Sequence, residues 1–172
     1  MPNTGATADS SDLYRLTQHL GPEDMIEAPP AINVGLPQDC LLAQLGIELV
    51  RMGRGRAEAR MPIGRIHLNQ RGIAQAGAIV ALADATAGWA SYSATEGGRF
   101  TTLDLSINLL RAGRDGDRLV ATATPVRVGR RVQVFEVTVA AEADSPVDRT
   151  HTVARFTCTQ LVLEPTPAGG GA

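Results

Sequence analysis

The longest apolar segment of the chain runs from Ile73 to Ser93 and predicts a helix. It is rich in alanine, a strong helix former, and it is longer than a typical strand. A helix that is apolar on nearly every side is buried on most of its sides. Gly77 and Gly88 would let neighbouring strands approach its backbone closely. Asp84 is the one charged residue of the segment.

Most of the remaining body alternates apolar and polar residues, which is typical of half-buried strands. GIELVRMGRGRAEARMPI predicts one strand before the helix, with Ile47, Leu49, Ala57 and Ala59 on its apolar face. In FTTLDLSINLL every second residue from Leu103 to Leu109 is apolar. DRLVATATPVRV and RVQVFEVTVAAE predict two strands around a turn, and HTVARFTCTQLVL predicts the last. In RVQVFEVTVAAE, Val132 and Val134 share one phase of the alternation and Val137 and Val139 share the other, which indicates a bulge near Phe135.

The predicted order is one strand, the long helix, and then four strands joined by short turns. Consecutive antiparallel strands around one early helix indicate an α+β fold in which a curved sheet wraps the helix. The pattern does not specify the order of the strands in the sheet.

The two ends of the chain differ in composition from this body. Residues 1–10 are small and polar, which predicts disorder. Ser11 is placed to cap a short helix that ends near Leu20, before Gly21-Pro22. Proline-rich residues 21–37 predict an arm over the surface, and EPTPAGGGA predicts a flexible tail. We therefore divide the chain into an N-terminal extension (1–40), one folded domain (41–163) and a tail (164–172).

Charge and composition exclude several classes of protein. The 172 residues carry a net charge of −2, which argues against general binding to nucleic acid or to an anionic membrane. No apolar run approaches the roughly 20 residues of a membrane span, and the N-terminus has no secretory pattern. Two cysteines, Cys40 and Cys158, make neither a disulfide framework nor a metal site. We expect a protein of the reducing cytoplasm.

Asp84 is the first candidate for chemistry. An unpaired ionised carboxylate in a low-dielectric interior costs several kcal/mol. The positions three and four residues away on the helix are all small or apolar, whereas a solvated stripe would carry Lys, Glu or Gln: Val80, Ala81, Ala87 and Gly88. This pattern favours a cleft in which function retains the acid.

The start of the predicted helix is a second candidate. Ala76, Gly77 and Ala78 fall in the first turn, where backbone N–H groups lack helical partners and the helix dipole is positive. Such N–H groups can hold a developing oxyanion. Asp84 lies some 12 Å further along the axis, by helix rise. Both groups can act on one carbonyl only across a subunit interface, which predicts an obligate dimer.

The segments HLNQRGIAQAGAIVALADATAG, TTLDLSINLLRAG and VGRRVQVFEVTV together resemble the hotdog-fold acyl-CoA thioesterases, above all their PaaI-like, phenylacetate-degradation branch. The resemblance covers residues 45–163. In that family an Asn precedes the central helix, a His-Gly-Gly run opens it, and an acidic residue follows two turns later. Asn69 matches the Asn and Asp84 the acid. Gly72 matches the turn glycine and Gly77 the second helix glycine.

The resemblance implies a hotdog fold and the hydrolysis of an acyl-CoA thioester to a carboxylic acid and CoA. It implies that Asp84 acts as nucleophile or general base, and that the N–H of Ala76 or Gly77 polarises the thioester oxygen. Asn69 would position the water or the carboxylate, and Thr102 would orient the attacking group. The implied assembly is a homodimer or a dimer of dimers with active sites at the interface. No metal ion or redox cofactor is implied, since CoA belongs to the substrate.

Two residues depart from the family pattern. Gln75 stands where His is usual, and Ala76 where the first Gly is usual. Both can still donate hydrogen bonds, but the departures also allow a non-catalytic acyl-thioester-binding protein. A hydratase or dehydratase of the same fold ranks lowest, because IGRIHLNQRG lacks the Asp-x-Asn-Pro-x-His pattern of such enzymes.

Several further residues have both a functional and a plain interpretation. Four arginines at strand ends and turns could meet CoA phosphates, although surface arginines are common: Arg111, Arg127, Arg130 and Arg131. Asn69 could simply shape its loop, Gln75 could be a polar residue without a ligand, and Thr102 could face its strand neighbours. His67 and Cys158 are expected to be structural. Trp89 and Tyr92 are expected to pack in the core or a dimer interface rather than line a pocket.

Overall fold

The computed structural model describes residues 10–96, 99–142 and 151–163. The helices are α1 (Ser10–Thr17), α2 (Pro30–Val34), α3 (Leu41–Gln44) and α4 (Ala76–Ala94), with a 3-10 turn at Arg65–His67. The strands are β1 (Ile26–Glu27), β2 (Glu48–Gly53), β3 (Arg56–Pro62), β4 (Arg99–Leu109), β5 (Arg118–Val128), β6 (Val132–Ala141) and β7 (His151–Leu163). Within these residues the strands form one antiparallel sheet in the order β1-β2-β3-β5-β6-β7-β4.

The long helix α4 is the centre of the core, as its composition predicted. It contacts each of the strands β2 to β7, so the sheet wraps around it. This arrangement confirms the α+β hotdog fold. The helix begins at Ala76, which puts Ala76, Gly77 and Ala78 in its first turn as expected. The apolar segment starts earlier than the helix, because Ile73 and Ala74 are extended and form bridges with Arg114 and Leu68.

The segment before α4 forms a hairpin, so the prediction of one strand there was wrong. β2 and β3 pair across a tight turn in which Gly55 has φ +70°, a conformation that glycine adopts without strain. The predicted apolar face is nevertheless the buried one, since Ile47, Leu49, Ala57 and Ala59 are at most 2% exposed. Strict alternation hid the turn because both arms present small or apolar residues in the same phase.

Strand β4 departs from the predicted alternation at Leu103. Thr102 and Asp104 pair with the consecutive residues Gln160 and Thr159, so Leu103 is one residue extra in its strand. Such an irregularity exchanges the two faces of a strand. Phe100 and Thr102 therefore face α4 on one side of Leu103, and Leu105 and Ile107 are the half-buried residues on the other side. Leu103 itself is 56% exposed.

The bulge predicted in β6 near Phe135 is absent from that strand, so this prediction was wrong. Gln133, Phe135, Val137 and Val139 are buried in unbroken alternation. The irregularity lies in the facing strand, where Pro125 and Arg127 pair with Phe135 and Val134 and leave Val126 extra. The valine pattern misled because the polar Gln133 occupies an inward position.

The N-terminal arm packs on the body. The expected short helix forms as α1, whose Leu13 and Thr17 are buried. Ser11 lies within this helix instead of capping it, and the helix ends at Thr17 rather than near Leu20. The Thr17 hydroxyl donates to the Leu13 carbonyl at 2.8 Å and lies 3.1 Å from the Ser93 carbonyl of α4. β1 extends the sheet beside β2, while the Asn33 amide both donates to and accepts from the Leu49 backbone. The predicted disordered start and flexible tail lie outside the described residues, apart from Ser10 of α1.

Candidate active site

Asp84 lies in the wall of a cavity between α4 and the edge strand β4. The cavity has a volume of about 240 Å³. Its lining is mostly apolar; the polar groups among the lining side chains are the Asp84 carboxylate and the hydroxyls of Thr102 and Tyr92, with the Trp89 indole N–H. The lining residues are Leu41, Leu42, Ala81, Asp84, Ala85, Gly88, Trp89, Tyr92, Phe100 and Thr102. Asp84 is half-buried, so the structure places the lone carboxylate of the helix in a cleft.

The inner wall of this cavity is aromatic. Tyr92 and Phe100 meet edge to face with ring centroids 4.6 Å apart, and Trp89 beside them is 7% exposed. Gly88 belongs to this wall, and a Cβ at that position would lie in van der Waals contact with the Phe100 ring at 3.4 Å. Trp89 packs in the core, as expected, but the expectation that these two residues do not line a pocket was wrong. Their spacing along α4 places both on the cavity side together with Asp84.

Thr102 is hydrogen-bonded to the candidate acid. Its hydroxyl Oγ1 donates to Asp84 Oδ1 at 2.8 Å and lies 3.2 Å from Oε1 of Gln160. A hydrogen bond to an ionised carboxylate is stronger than one between neutral groups. The contact holds one oxygen of the carboxylate in place at the cavity wall.

Gln160 and Cys158 lie behind Thr102 on β7, and both are fully buried. Gln160 is directly opposite Thr102 in the sheet, and its amide contacts Cys158 Sγ at 3.1 Å. Burial, together with the negative charge of Asp84, raises the pKa of the Cys158 thiol from 9.0 to about 12. Cys158 is therefore a protonated thiol at neutral pH.

A second buried glutamine, Gln133, lies beside Gln160 on the inner face of the sheet. Gln133 of β6 is the register partner of Gln160 and is 2% exposed. Its Oε1 accepts from Ser91, and its Nε2 donates to Thr95, both at 2.6 Å. We name Thr102, Gln160 and Gln133 the polar row. Neither glutamine was predicted as a site residue, although a Gln in phase with Phe135, or with Phe156 and Cys158, was a usable signal in the sequence.

The start of α4 is open, as its small residues predicted. Gln75 is the extended residue before the helix, is exposed, and makes no capping bond with its side chain. Gly77 is exposed, and a Cβ built there meets nothing within 4 Å. The backbone N–H groups of Ala76 and Gly77 belong to the first turn, which lies about 12 Å along the helix axis from Asp84. One protomer therefore does not bring these donors and the acid together.

Asn69 and His67 shape the loop before α4. Asn69 Oδ1 accepts from the Arg71 N–H at 2.8 Å, which closes an Asx turn ahead of Gly72 at φ +72°. The turn engages the oxygen of the amide and leaves Nδ2 as its donor end. His67 is 5% exposed; its Nδ1 accepts from the Gly64 N–H, and its Nε2 lies 3.0 Å from the Leu45 carbonyl. His67 is structural, as expected.

The four candidate arginines are exposed and fall into two groups. Arg111 follows β4, and its N–H bonds the Val153 carbonyl at the end of the sheet where β5 begins. Arg127, Arg130 and Arg131 lie where β5 ends and turns into β6. The 11 residues of β5 span roughly 36 Å at about 3.3 Å each. One phosphate group cannot reach both groups within one protomer.

Two further properties concern metals and membranes. Among the described residues, His, Cys, Asp and Glu side chains nowhere gather in threes as metal ligands do. In the same part of the chain, no helix has the length and apolar character needed to cross a bilayer.

Comparison with known proteins assigns the class of this fold and cavity. The family model described as the thioesterase superfamily matches residues 72–147. A Haemophilus influenzae protein named as an esterase is 34% identical over 102 residues, which are 59% of this chain and 73% of that protein. The PaaI protein of the E. coli phenylacetic acid degradation operon superposes with a TM-score of 0.64 at 26% identity, over 74% of this chain and 87% of that one. The Streptococcus mutans protein smu.793, solved with acetyl CoA bound, gives a TM-score of 0.61 at 30% identity, over 68% and 88% of the two chains.

The fold and the relatives together define the class of this protein, which is that of the thioester hydrolases. The chain belongs to the thioesterase superfamily and is similar to its PaaI-like members.

Proposed function

We propose that this protein hydrolyses acyl-CoA thioesters to a free carboxylic acid and CoA, with Asp84 as the acid that acts on the thioester. The observation that carries the proposal is the Asp84 carboxylate, bonded to Thr102 in the wall of a mostly apolar cavity. An enzyme that adds water to an acyl thioester needs an apolar site for the acyl group with a base beside the carbonyl. The cavity between α4 and β4 offers both.

Two routes of attack are compatible with this geometry. As a general base, Asp84 takes a proton from water, and the oxygen attacks the carbonyl carbon to form a tetrahedral intermediate. As a nucleophile, a carboxylate oxygen attacks the same carbon, and water then hydrolyses the resulting anhydride. In both routes the C–S bond breaks, the CoA sulfur leaves with the electron pair, and it gains a proton. The sum is thioester plus water to acid plus thiol.

The oxyanion of either route needs hydrogen-bond donors that the same protomer does not supply next to Asp84. The open N–H groups at the start of α4 are suited to this task, and each such donor contributes about 2.7–4 kcal/mol in known enzymes. We therefore assign the oxyanion to the partner subunit's Ala76 and Gly77, with Gln75 at the same helix start. Asn69 keeps its Nδ2 group to position water or the carboxylate.

A homodimer that shares its active sites follows from this assignment. β4 is the edge strand on the side of the sheet that carries the cavity. Two leucines of this edge strand and the leucine after it are at least half exposed, whereas edge strands left in water usually carry charge: Leu103, Leu109 and Leu110. A second copy on this edge would cover these leucines and bring its own helix start near Asp84. Pairs of dimers are compatible with the same contact.

CoA recognition is proposed from the relatives and from the exposed arginines. The Streptococcus mutans relative was solved with acetyl CoA bound, and a Streptococcus pneumoniae relative with coenzyme A. Exposed arginines suit phosphate groups. The two groups of arginines are too far apart in one protomer to contact one phosphate group. In a dimer, the candidates for CoA phosphate contacts are Arg111 of one protomer and Arg127, Arg130 and Arg131 of the other.

The experiment that tests this function is a panel of acyl-CoAs assayed for thiol release, with the parent and Asp84→Asn side by side. We expect the parent to turn over and the variant to lose at least about a hundredfold in kcat while it still binds the CoA ester. If the parent binds the acyl-CoAs but hydrolyses none of them, the result would instead favour a non-catalytic acyl-thioester-binding protein. Equal turnover by parent and variant would exclude Asp84 as the acid.

A further inference from the structure

The Thr102 hydroxyl faces two acceptors with one hydrogen. Its Oγ1 lies 2.8 Å from Asp84 Oδ1 and 3.2 Å from Gln160 Oε1. A hydroxyl donates one hydrogen and accepts through its lone pairs. If it donates to the carboxylate, an amide oxygen at 3.2 Å is an unfavourable neighbour. If it donates to Gln160, its own oxygen faces the carboxylate without a hydrogen between them.

Turning the Gln160 amide over removes this conflict. The oxygen and nitrogen of a glutamine amide are interchangeable in position, so hydrogen bonding decides which of them faces Thr102. With Nε2 toward Thr102, the amide donates to Oγ1, and the hydroxyl hydrogen is left for Asp84. Oε1 then faces Cys158, whose thiol is protonated and can donate to it.

We propose that Gln160 is a positioning residue, which donates Nε2–H to the Thr102 hydroxyl and so commits the hydroxyl hydrogen to Asp84. The hydrogen bonds then run in one direction, from Cys158 to Gln160, from Gln160 to Thr102 and from Thr102 to Asp84. Each group has the partner that its chemistry requires. Gln160 is fully buried behind Thr102 and does not line the cavity, so it acts through Thr102 on the carboxylate. The proposal rests on the proposed function, in which Asp84 attacks or activates water.

Burial makes this role demanding. Gln160 is fully buried, where an amide group without hydrogen-bond partners destabilises the fold, so both of its ends must be bonded. Its position opposite Thr102 in the β4–β7 register fixes the distance between them. Because Leu103 turns Thr102 inward, the same irregularity that brings the hydroxyl to Asp84 also brings it to Gln160.

A double-mutant cycle on the full-length protein tests the proposal. Gln160→Met keeps the length of the side chain but donates no hydrogen bond, and Thr102→Val removes the hydroxyl. We expect Gln160→Met to lower kcat on an acyl-CoA about three- to tenfold with KM within about twofold of the parent. In the Thr102→Val background the same change should lower kcat by less than about 1.5-fold, since the group through which it acts is gone.

The chain offers a matched control in Gln133→Met. Gln133 is equally buried and of the same type, but it bonds Ser91 and Thr95 rather than Thr102. We expect Gln133→Met to lower the thermal stability as Gln160→Met does, and to leave kcat at the value of the parent. If Gln160→Met lowers kcat equally with and without the Thr102 hydroxyl, or no more than Gln133→Met, Gln160 is merely structural and the inference is overturned.

The outcome for Asp84→Asn, measured alongside, separates the two proposals. Loss of turnover in Asp84→Asn with an additive cycle overturns the role of Gln160 and leaves the proposed function intact. Parent-like turnover in Asp84→Asn overturns the proposed function itself, and the role of Gln160 with it. Loss in Asp84→Asn with a non-additive cycle supports both.

Discussion

The Thr102 hydroxyl reaches the Asp84 carboxylate, at 2.8 Å, because strand β4 carries one extra residue at Leu103. Counted by strict alternation from Leu105 and Ile107, Thr102 would point away from α4. The irregularity at Leu103 turns Phe100 and Thr102 toward the helix instead. An inserted residue in the sheet thus completes the cavity wall and gives the acid its hydrogen-bond donor. Irregularities of this kind are frequent beside active sites.

Removing the Thr102 hydroxyl should damage the reaction more than the fold. Hydrogen bonds to charged groups contribute about 1.5–3 kcal/mol, so we expect Thr102→Val to lower kcat/KM about 10- to 100-fold. Thr102→Ser keeps the donor and should stay within a few-fold of the parent. Thr101→Val is the control, because Thr101 is exposed on the opposite face. Steady-state kinetics on one acyl-CoA suffices, and equal losses in Thr101→Val and Thr102→Val would contradict the assigned role.

Gly88 should set which acyl groups fit the cavity. A Cβ there meets Phe100 at 3.4 Å, so Gly88→Ala narrows a cavity of about 240 Å³ at its aromatic wall. For scale, an apolar cavity of about 150 Å³ accepts benzene. We expect kcat/KM for aromatic and medium-chain acyl-CoAs to fall at least about tenfold relative to acetyl-CoA. Thermal stability should not drop, because alanine is the better helix former by about 1 kcal/mol. A uniform loss across all esters would show that Gly88 does not control selectivity.

The exposed leucines of β4 should hold the active assembly together. We expect the parent to be a dimer or a dimer of dimers by light scattering at micromolar concentration. Leu109→Lys places a charge on an edge residue that is 50% exposed, and it should yield monomers with little thioesterase activity. Val126→Lys, at a residue 60% exposed on β5, is the control for a surface charge elsewhere. A monomeric parent that is fully active would rule out shared active sites.

The free energy of unfolding should depend on pH through the Cys158 thiol. Its pKa is raised from 9.0 to about 12 by burial, so the folded chain keeps this proton at a pH where the unfolded chain has lost it. The stabilisation is fully present below pH 9.0 and should be lost as the pH rises toward 12. Urea unfolding between pH 8 and pH 11 measures this slope, which Cys158→Ala should reduce and Cys40→Ser should leave unchanged.

Thiol labelling gives a second measurement of the same prediction. At pH 8, a disulfide reagent should modify the half-exposed Cys40 and spare the buried Cys158 until the chain unfolds. Rapid labelling of both cysteines in the native protein would be inconsistent with the buried, protonated thiol.

The parts of this structure that were predictable depend on local patterns. The length, alanine content and nearly uniform apolar character of α4 predicted the central helix. Asp84 was recognisable as a candidate because its neighbours on the helix are small or apolar, whereas a solvent-exposed stripe would carry polar residues there: Val80, Ala81, Ala87 and Gly88. The hairpin turn at Gly55 and the extra residue at Leu103 were not predicted, since pairing register depends on which strands become neighbours. Gln160 was missed for the same reason: its importance lies in the residue opposite it, and sequence spacing does not show that.

The polar row constrains how this protein can diverge. Each of its members bonds a neighbouring side chain, so losing one side chain leaves a buried partner unsatisfied at a cost of about 1–3 kcal/mol, whereas replacing linked partners together can be nearly neutral. Thr102, Gln160 and Cys158 should thus change together, and Gln133 should change together with Ser91 and Thr95, the residues that it bonds. Descendants that abandon catalysis would be free to exchange Thr102 and Gln160 together for aliphatic residues and gain a more ordinary interior.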